Sequence, residues 1–105
     1  MTSRDPESTA DDDLRMALQQ LQVYEAIAVA ASDAHAVLDS MLSASDPDAA
    51  REVLQQRYDF TEMQAWAVMD VQFRRMTSLD RQKLEERRQE LVEQVAALQD
   101  EVGGA

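Results

Sequence analysis

From Leu14 to Leu42 the chain runs without a glycine or a proline, and its apolar residues recur three and four positions apart. Leu14, Ala17, Leu21, Tyr24, Ala28, Ala31, His35, Leu38 and Leu42 trace one such stripe. That spacing keeps side chains on one side of an α-helix and makes the seam of a coiled coil. A helix of this length reaches about 43 Å, an arm that needs a partner along its side. A second stripe, Val23, Ile27, Ala30, Ala34, Val37 and Met41, starts later. The distal half of the arm is thus apolar on two sides and is expected to pack into something broader than one helix. The partner for the first seam stands near the C-terminus, where Leu84, Arg88, Leu91, Val95, Leu98 and Val102 alternate four and three apart. Arg88, the exception in that row, can lay its stem along the seam and lift its charge out. The two seams predict a long antiparallel coiled-coil pair held by Leu14, Leu21, Leu38, Leu42, Leu84, Leu91, Val95 and Leu98.

Between the seams the chain carries start and stop signals. Ser43 to Asp46 breaks the first helix; Asp46 as cap and Pro47 at the first helical position start a short helix to about Tyr58. Ala50, Leu54 and Tyr58 lie four apart and face inward together. Thr61 with Gln64 three residues on forms a capping box, and Phe60 stands where a hydrophobic staple belongs. The helix that follows has two apolar stripes: Met63, Ala67 and Val71, and Trp66, Met69, Phe73 and Met76. One apolar face anchors a helix to its own chain, so the second predicts contact with another surface. The second stripe, Trp66, Met69, Phe73 and Met76, is the candidate dimer interface. Thr77 to Asp80 repeats the capping signature and launches the last helix. The expected architecture is all-α: a disordered tail over 1–10, one helical domain over 11–102, and a short tail over 103–105. Helices are expected over about 12–43, 47–58, 62–76 and 79–102.

Composition narrows the chemistry. The 105 residues hold two glycines, two prolines and no cysteine, which disfavours β-structure and excludes disulfides and thiol chemistry. Acids outnumber bases 21 to 10, for a formal net charge of −11, so DNA should repel this chain. No apolar run is long enough to span a membrane, and no basic leader precedes an apolar stretch; the expected location is the cytoplasm. His35 is the only histidine and reads as a packed side chain. Asp11, Asp12 and Asp13 read as a helix cap at the positive end of the dipole, since three adjacent residues of a helix cannot converge on one ion. Tyr24 and Tyr58 have no basic cluster beside them to hold a phosphate. No catalytic residue, metal site or cofactor site is expected.

Gln64-Ala65, Ala67, Asp70, Arg75-Met76-Thr77-Ser78-Leu79-Asp80 and Lys83-Leu84 resemble the QAQAILDLRLQxLTGLExxKL signature of the A subunit of bacterial type IIA topoisomerases, the DNA gyrase and topoisomerase IV family. Asp46 to Leu54 is similar to that family's TPEEAREGL connection, and the resemblance runs from about Gln22 to Leu98. It implies the exit gate, a small helical knob at the tip of a long antiparallel coiled coil where two subunits meet. The family's nucleophilic tyrosine belongs to a winged-helix domain upstream of that coiled coil; neither tyrosine here matches its motif, and no ATPase motif occurs. Three departures stand out: Ser78 replaces a glycine, Trp66 replaces a glutamine, and Val71-Gln72-Phe73 replaces Leu-Arg-Leu. The expected function is therefore a non-catalytic homodimerisation module shaped like the exit gate. One alternative is a regulator of gyrase or topoisomerase IV that pairs with the gate of the enzyme's A subunit. Another is an adaptor that uses the gate shape for an unrelated protein.

Overall fold

The computed structural model describes residues 6–74 and 77–103, and these form five helices with no strand among the described residues. They are α1 (Pro6–Ser32), α2 (Ala34–Ser43), α3 (Pro47–Tyr58), α4 (Glu62–Arg74) and α5 (Ser78–Gly103). The body measures 50 × 29 × 23 Å, and its long dimension follows α1 and α5.

α1 starts at Pro6, inside the stretch expected as a disordered tail. Proline suits a first helical position because its φ is preset, and Ala10, one turn on, is buried. Asp11, Asp12 and Asp13 therefore stand inside the helix instead of capping it, and Asp12 pairs with Arg15 at 3.0 Å. α5 lies along α1. Its Arg87 donates to Gln20 Oε1 at 3.1 Å, and its Leu84 borders the same cavity as Tyr24 and Ile27. Gln94 and Leu98 border the same groove as Asp13 and Ala17. Along this contact Ala17, Leu91 and Val95 are buried, and Leu14, Leu21 and Leu98 are half-buried. Arg88 forks onto Glu85 at 2.7 and 2.9 Å, so the charge in the seam is neutralised locally.

The expected single helix to Ser43 is broken at Asp33, whose backbone sits at φ −132°, ψ 39°. Ser32 Oγ donates back to the Val29 carbonyl at 2.6 Å, a competing bond that bends helices. Asp33 does not cap α2 with its side chain; its carboxylate instead accepts from the Tyr58 hydroxyl at 2.6 Å. The break changes which stripe is buried. Val37 and Met41 enter the core, whereas Leu38 and Leu42, expected in the coiled-coil seam, are 37% and 71% exposed. His35 is exposed too, not packed. The physical reason is the neighbourhood: beyond Asp33 the chain packs on α3 and α4 rather than on α5, so the seam toward α5 has nothing left to face.

α2, α3 and α4 form the knob. Asp46 caps α3 by accepting from the Ala49 amide at 2.8 Å, with Pro47 next to it. α3 ends at Asp59, in the left-handed region at φ 59°, a conformation that aspartate tolerates. Thr61 and Gln64 form the reciprocal capping box at 2.8 and 3.1 Å, and Gln64 Nε2 also reaches the Gln22 carbonyl on α1 at 2.8 Å. The core joins Ala26, Ile27 and Ala30 of α1 to Val37, Met41, Ala50, Leu54, Phe60, Ala65, Val68 and Met69 of the knob, and to Leu84 of α5. The alanines at 26, 30 and 65 let α1 and α4 approach closely. Ser78, where the gate signature has glycine, is the first residue of α5, with Thr77 capping through the Asp80 amide at 3.2 Å. A helical position needs no positive φ, so the serine is accommodated without strain.

The Asp33–Tyr58 bond gives a pH-dependent prediction. Burial first, and the hydrogen bond to Asp33 next, raise the Tyr58 phenol above its ordinary 10.0, while the charge of Arg57 opposes them. A raised acid favours its neutral form in the folded state, so this contribution is present below pH 10 and is lost as pH rises through the folded value. Tyr58→Phe is expected to cost about 0.5–1 kcal/mol in urea unfolding at neutral pH. It should also remove part of the stability loss seen in the parent chain above pH 10.

Candidate protein–protein interface

α4 turns Ala65, Val68 and Met69 inward and Met63, Trp66, Asp70 and Arg74 outward. The two apolar stripes read from sequence are thus drawn differently in space. Met63, assigned to the first stripe, is 66% exposed, and Met69, assigned to the interface, is 7% exposed within the core. Trp66 remains open at 38%. The Phe73 side chain and Met76 lie outside the described residues.

Beneath Trp66 stands Arg51 of α3, its guanidinium 5.8 Å from the ring centroid. Such a cation–π contact holds the indole in one orientation while its outer surface stays open. The indole borders a groove of about 590 Å³ between α2, α3 and α4, which Met41, Pro47, Ala50, Met69 and Arg74 also line. Asp70 and Arg74 pair at 3.2 Å along the outer face of α4 and so offer little net charge there. On α2, Leu38 and Leu42 add exposed apolar surface.

Charge is unevenly distributed along the chain: residues 51–88 hold eight bases against seven acids. The first fifty residues hold only Arg4 and Arg15 against ten acids, and after Arg88 four acids follow with no base. The knob, residues 34–74, holds seven acids against three bases, residues 75–88 hold five bases against three acids, and the far ends of α1 and α5 are strongly acidic. Among the described residues no group of three or more potential metal ligands converges, and no helix is long and apolar enough to cross a membrane.

Fold and surface define a chain, all-helical in its ordered elements among the described residues, whose knob exposes Leu38, Leu42, Met63 and Trp66. By comparison of sequences, the chain is similar to a segment of the DNA gyrase A subunit. It is 31% identical over 88 residues to the DNA gyrase A subunit of Brachyspira hyodysenteriae, covering 84% of this chain and 11% of that protein. Against the same subunit of Dehalogenimonas lykanthroporepellens it is 28% identical over 88 residues, with 84% and 11% covered. Against that of Staphylococcus aureus it is 30% identical over 86 residues, with 82% and 10% covered. The chain spans about a tenth of the length of these curated relatives. No family model matches it.

Sequence reasoning missed Leu38, Leu42 and Arg51 as surface-forming residues. The signal for the leucines was the Ser32-Asp33 pair, two residues that bond to nearby backbone and so interrupt a helix. Nothing in the sequence marked Arg51 as the support of Trp66.

Proposed function

We propose that this chain is a non-catalytic homodimerisation module, an exit-gate-like knob on an antiparallel coiled-coil arm, in which two knobs meet through the face around Trp66. The observation that carries this reading is the open indole, beside which the charges of Asp70 and Arg74 are paired. Exposed Met63, Leu38 and Leu42 extend the apolar area available for burial. The arm is unsuited to self-pairing, because two acidic ends would repel. A chain of this size has a limited core and gains much from burying a second surface. The order of contacts along the arm, Gln20 with Arg87 and Asp13 near Gln94, supports the antiparallel pair. In the two-fold assembly Phe73 and Met76 are proposed to complete the interface, and Met69 to support it from behind.

The similarity to gyrase A favours a second reading, a mixed pair between this knob and that of a gyrase A protein. Trp66 in place of the signature glutamine weighs toward self-pairing, since an added indole needs a matching surface.

The native chain has no cysteine, so single labelling sites can be added freely. Spin labels at Asp70→Cys on the knob and, in a separate sample, at Gln19→Cys on the arm test the arrangement. Knob-to-knob pairing predicts a defined interchain distance for the knob label and a longer one for the arm label. The reverse order would reject it, and loss of the interchain distance on adding unlabelled gyrase A would select the mixed pair.

A further inference from the structure

We propose that the cavity walled by α1, α4 and α5 is a binding site for a small aromatic carboxylate, with the ring against the apolar wall and the carboxylate on Arg81. The cavity holds about 270 Å³. A cavity of about 150 Å³ is enough for benzene, so this one has room for a two-ring ligand. Its wall is made of Ile27, Ala28 and Ala31 of α1, Val68 and Val71 of α4, and Leu84 of α5. The two alanines leave a flat face for a planar ring, and Tyr24 borders the same space with an aromatic surface.

The polar groups at the cavity select the charge of the ligand. Glu85 is there, but Arg88 holds both of its oxygens, at 2.7 and 2.9 Å, and neutralises it. Arg81 is four residues before Glu85 and is left over. Among the described residues its side chain makes no hydrogen bond and no ion pair. In a chain where acids outnumber bases 21 to 10, a spare guanidinium beside an apolar hollow is the one unmet charge of this site. A guanidinium matches a carboxylate through two parallel bonds, and a planar aromatic acid places that group at the edge of its ring. The Gln72 amide also borders the cavity and supplies a further donor.

The site lies within one chain and does not depend on pairing of two copies. The test is calorimetric titration of the full chain with 2-naphthoate and, separately, with its uncharged isostere 2-naphthamide. The proposal expects one saturable site per chain, with the carboxylate bound roughly ten-fold tighter than the amide. Arg81→Gln, an exposed change, should erase that difference, and Ala31→Leu, which fills the hollow, should weaken both ligands. Trp66→Ala should leave both affinities unchanged, even if it alters self-association. Equal binding of acid and amide to the parent chain would overturn the proposal. So would binding that Arg81→Gln does not affect, or no saturation by about 1 mM. If Ala31→Leu fails to fold, the acid-against-amide comparison still decides.

Discussion

Changing Trp66 to alanine is expected to weaken self-association by roughly a thousand-fold. A two-fold pair loses two indoles at once, and a buried interfacial tryptophan is worth about 2 kcal/mol or more when truncated. Twice that energy corresponds to about three decades in dissociation constant. The helical content should change little, because the indole is 38% exposed in the single chain and its main internal contact is the Arg51 guanidinium. Sedimentation velocity over a concentration series reads the first effect, and far-ultraviolet circular dichroism reads the second. An unchanged association constant with intact helicity would remove this face from the interface and favour the adaptor reading.

The second large effect is on folding. Leu54 is fully buried where α3 packs against α2 and α4. Leu54→Ala is expected to cost about 2–5 kcal/mol, the transfer energy of the lost atoms plus the cavity left behind. Small domains have only about 5–15 kcal/mol in hand, so much of this variant should be unfolded at modest urea concentrations. Leu42→Ala is the control. Leu42 is 71% exposed, and in the Trp66→Ala background, where association is removed, its loss should change stability by no more than about 0.5 kcal/mol. Equal costs for the two leucines would contradict the placement of α2.

That contrast also shows what was legible in the sequence. Three caps were readable residue by residue: Asp46-Pro47, Thr61 with Gln64, and Thr77 with Asp80 all form the bonds that their types and spacing demand. The cap expected at Asp11 to Asp13 was not, because α1 starts earlier, at Pro6. Leu14 and Leu21 are half-buried on the stretch of α1 that α5 lies along. Burial beyond that stretch was not legible, because two stripes of equal regularity ran through the same residues and only the surroundings decide between them. Val37 and Met41 won over Leu38 and Leu42 because α3 and α4 lie on their side of the bend at Asp33. On α4 neither stripe followed the buried face: Ala65 and Val68 belonged to neither, and Met69 to the second. Close helix packing favours small residues such as Ala65, which carry little weight in a hydrophobic pattern. The support of Trp66 by Arg51 joins two helices through space, and no local pattern encodes it.

Whether two knobs meet is read most directly by sedimentation equilibrium of the unmodified chain. At about 10 µM the predicted result is a single species of twice the 11.8 kDa chain mass, dissociating on dilution. A mass of 11.8 kDa that persists up to about 100 µM would contradict it.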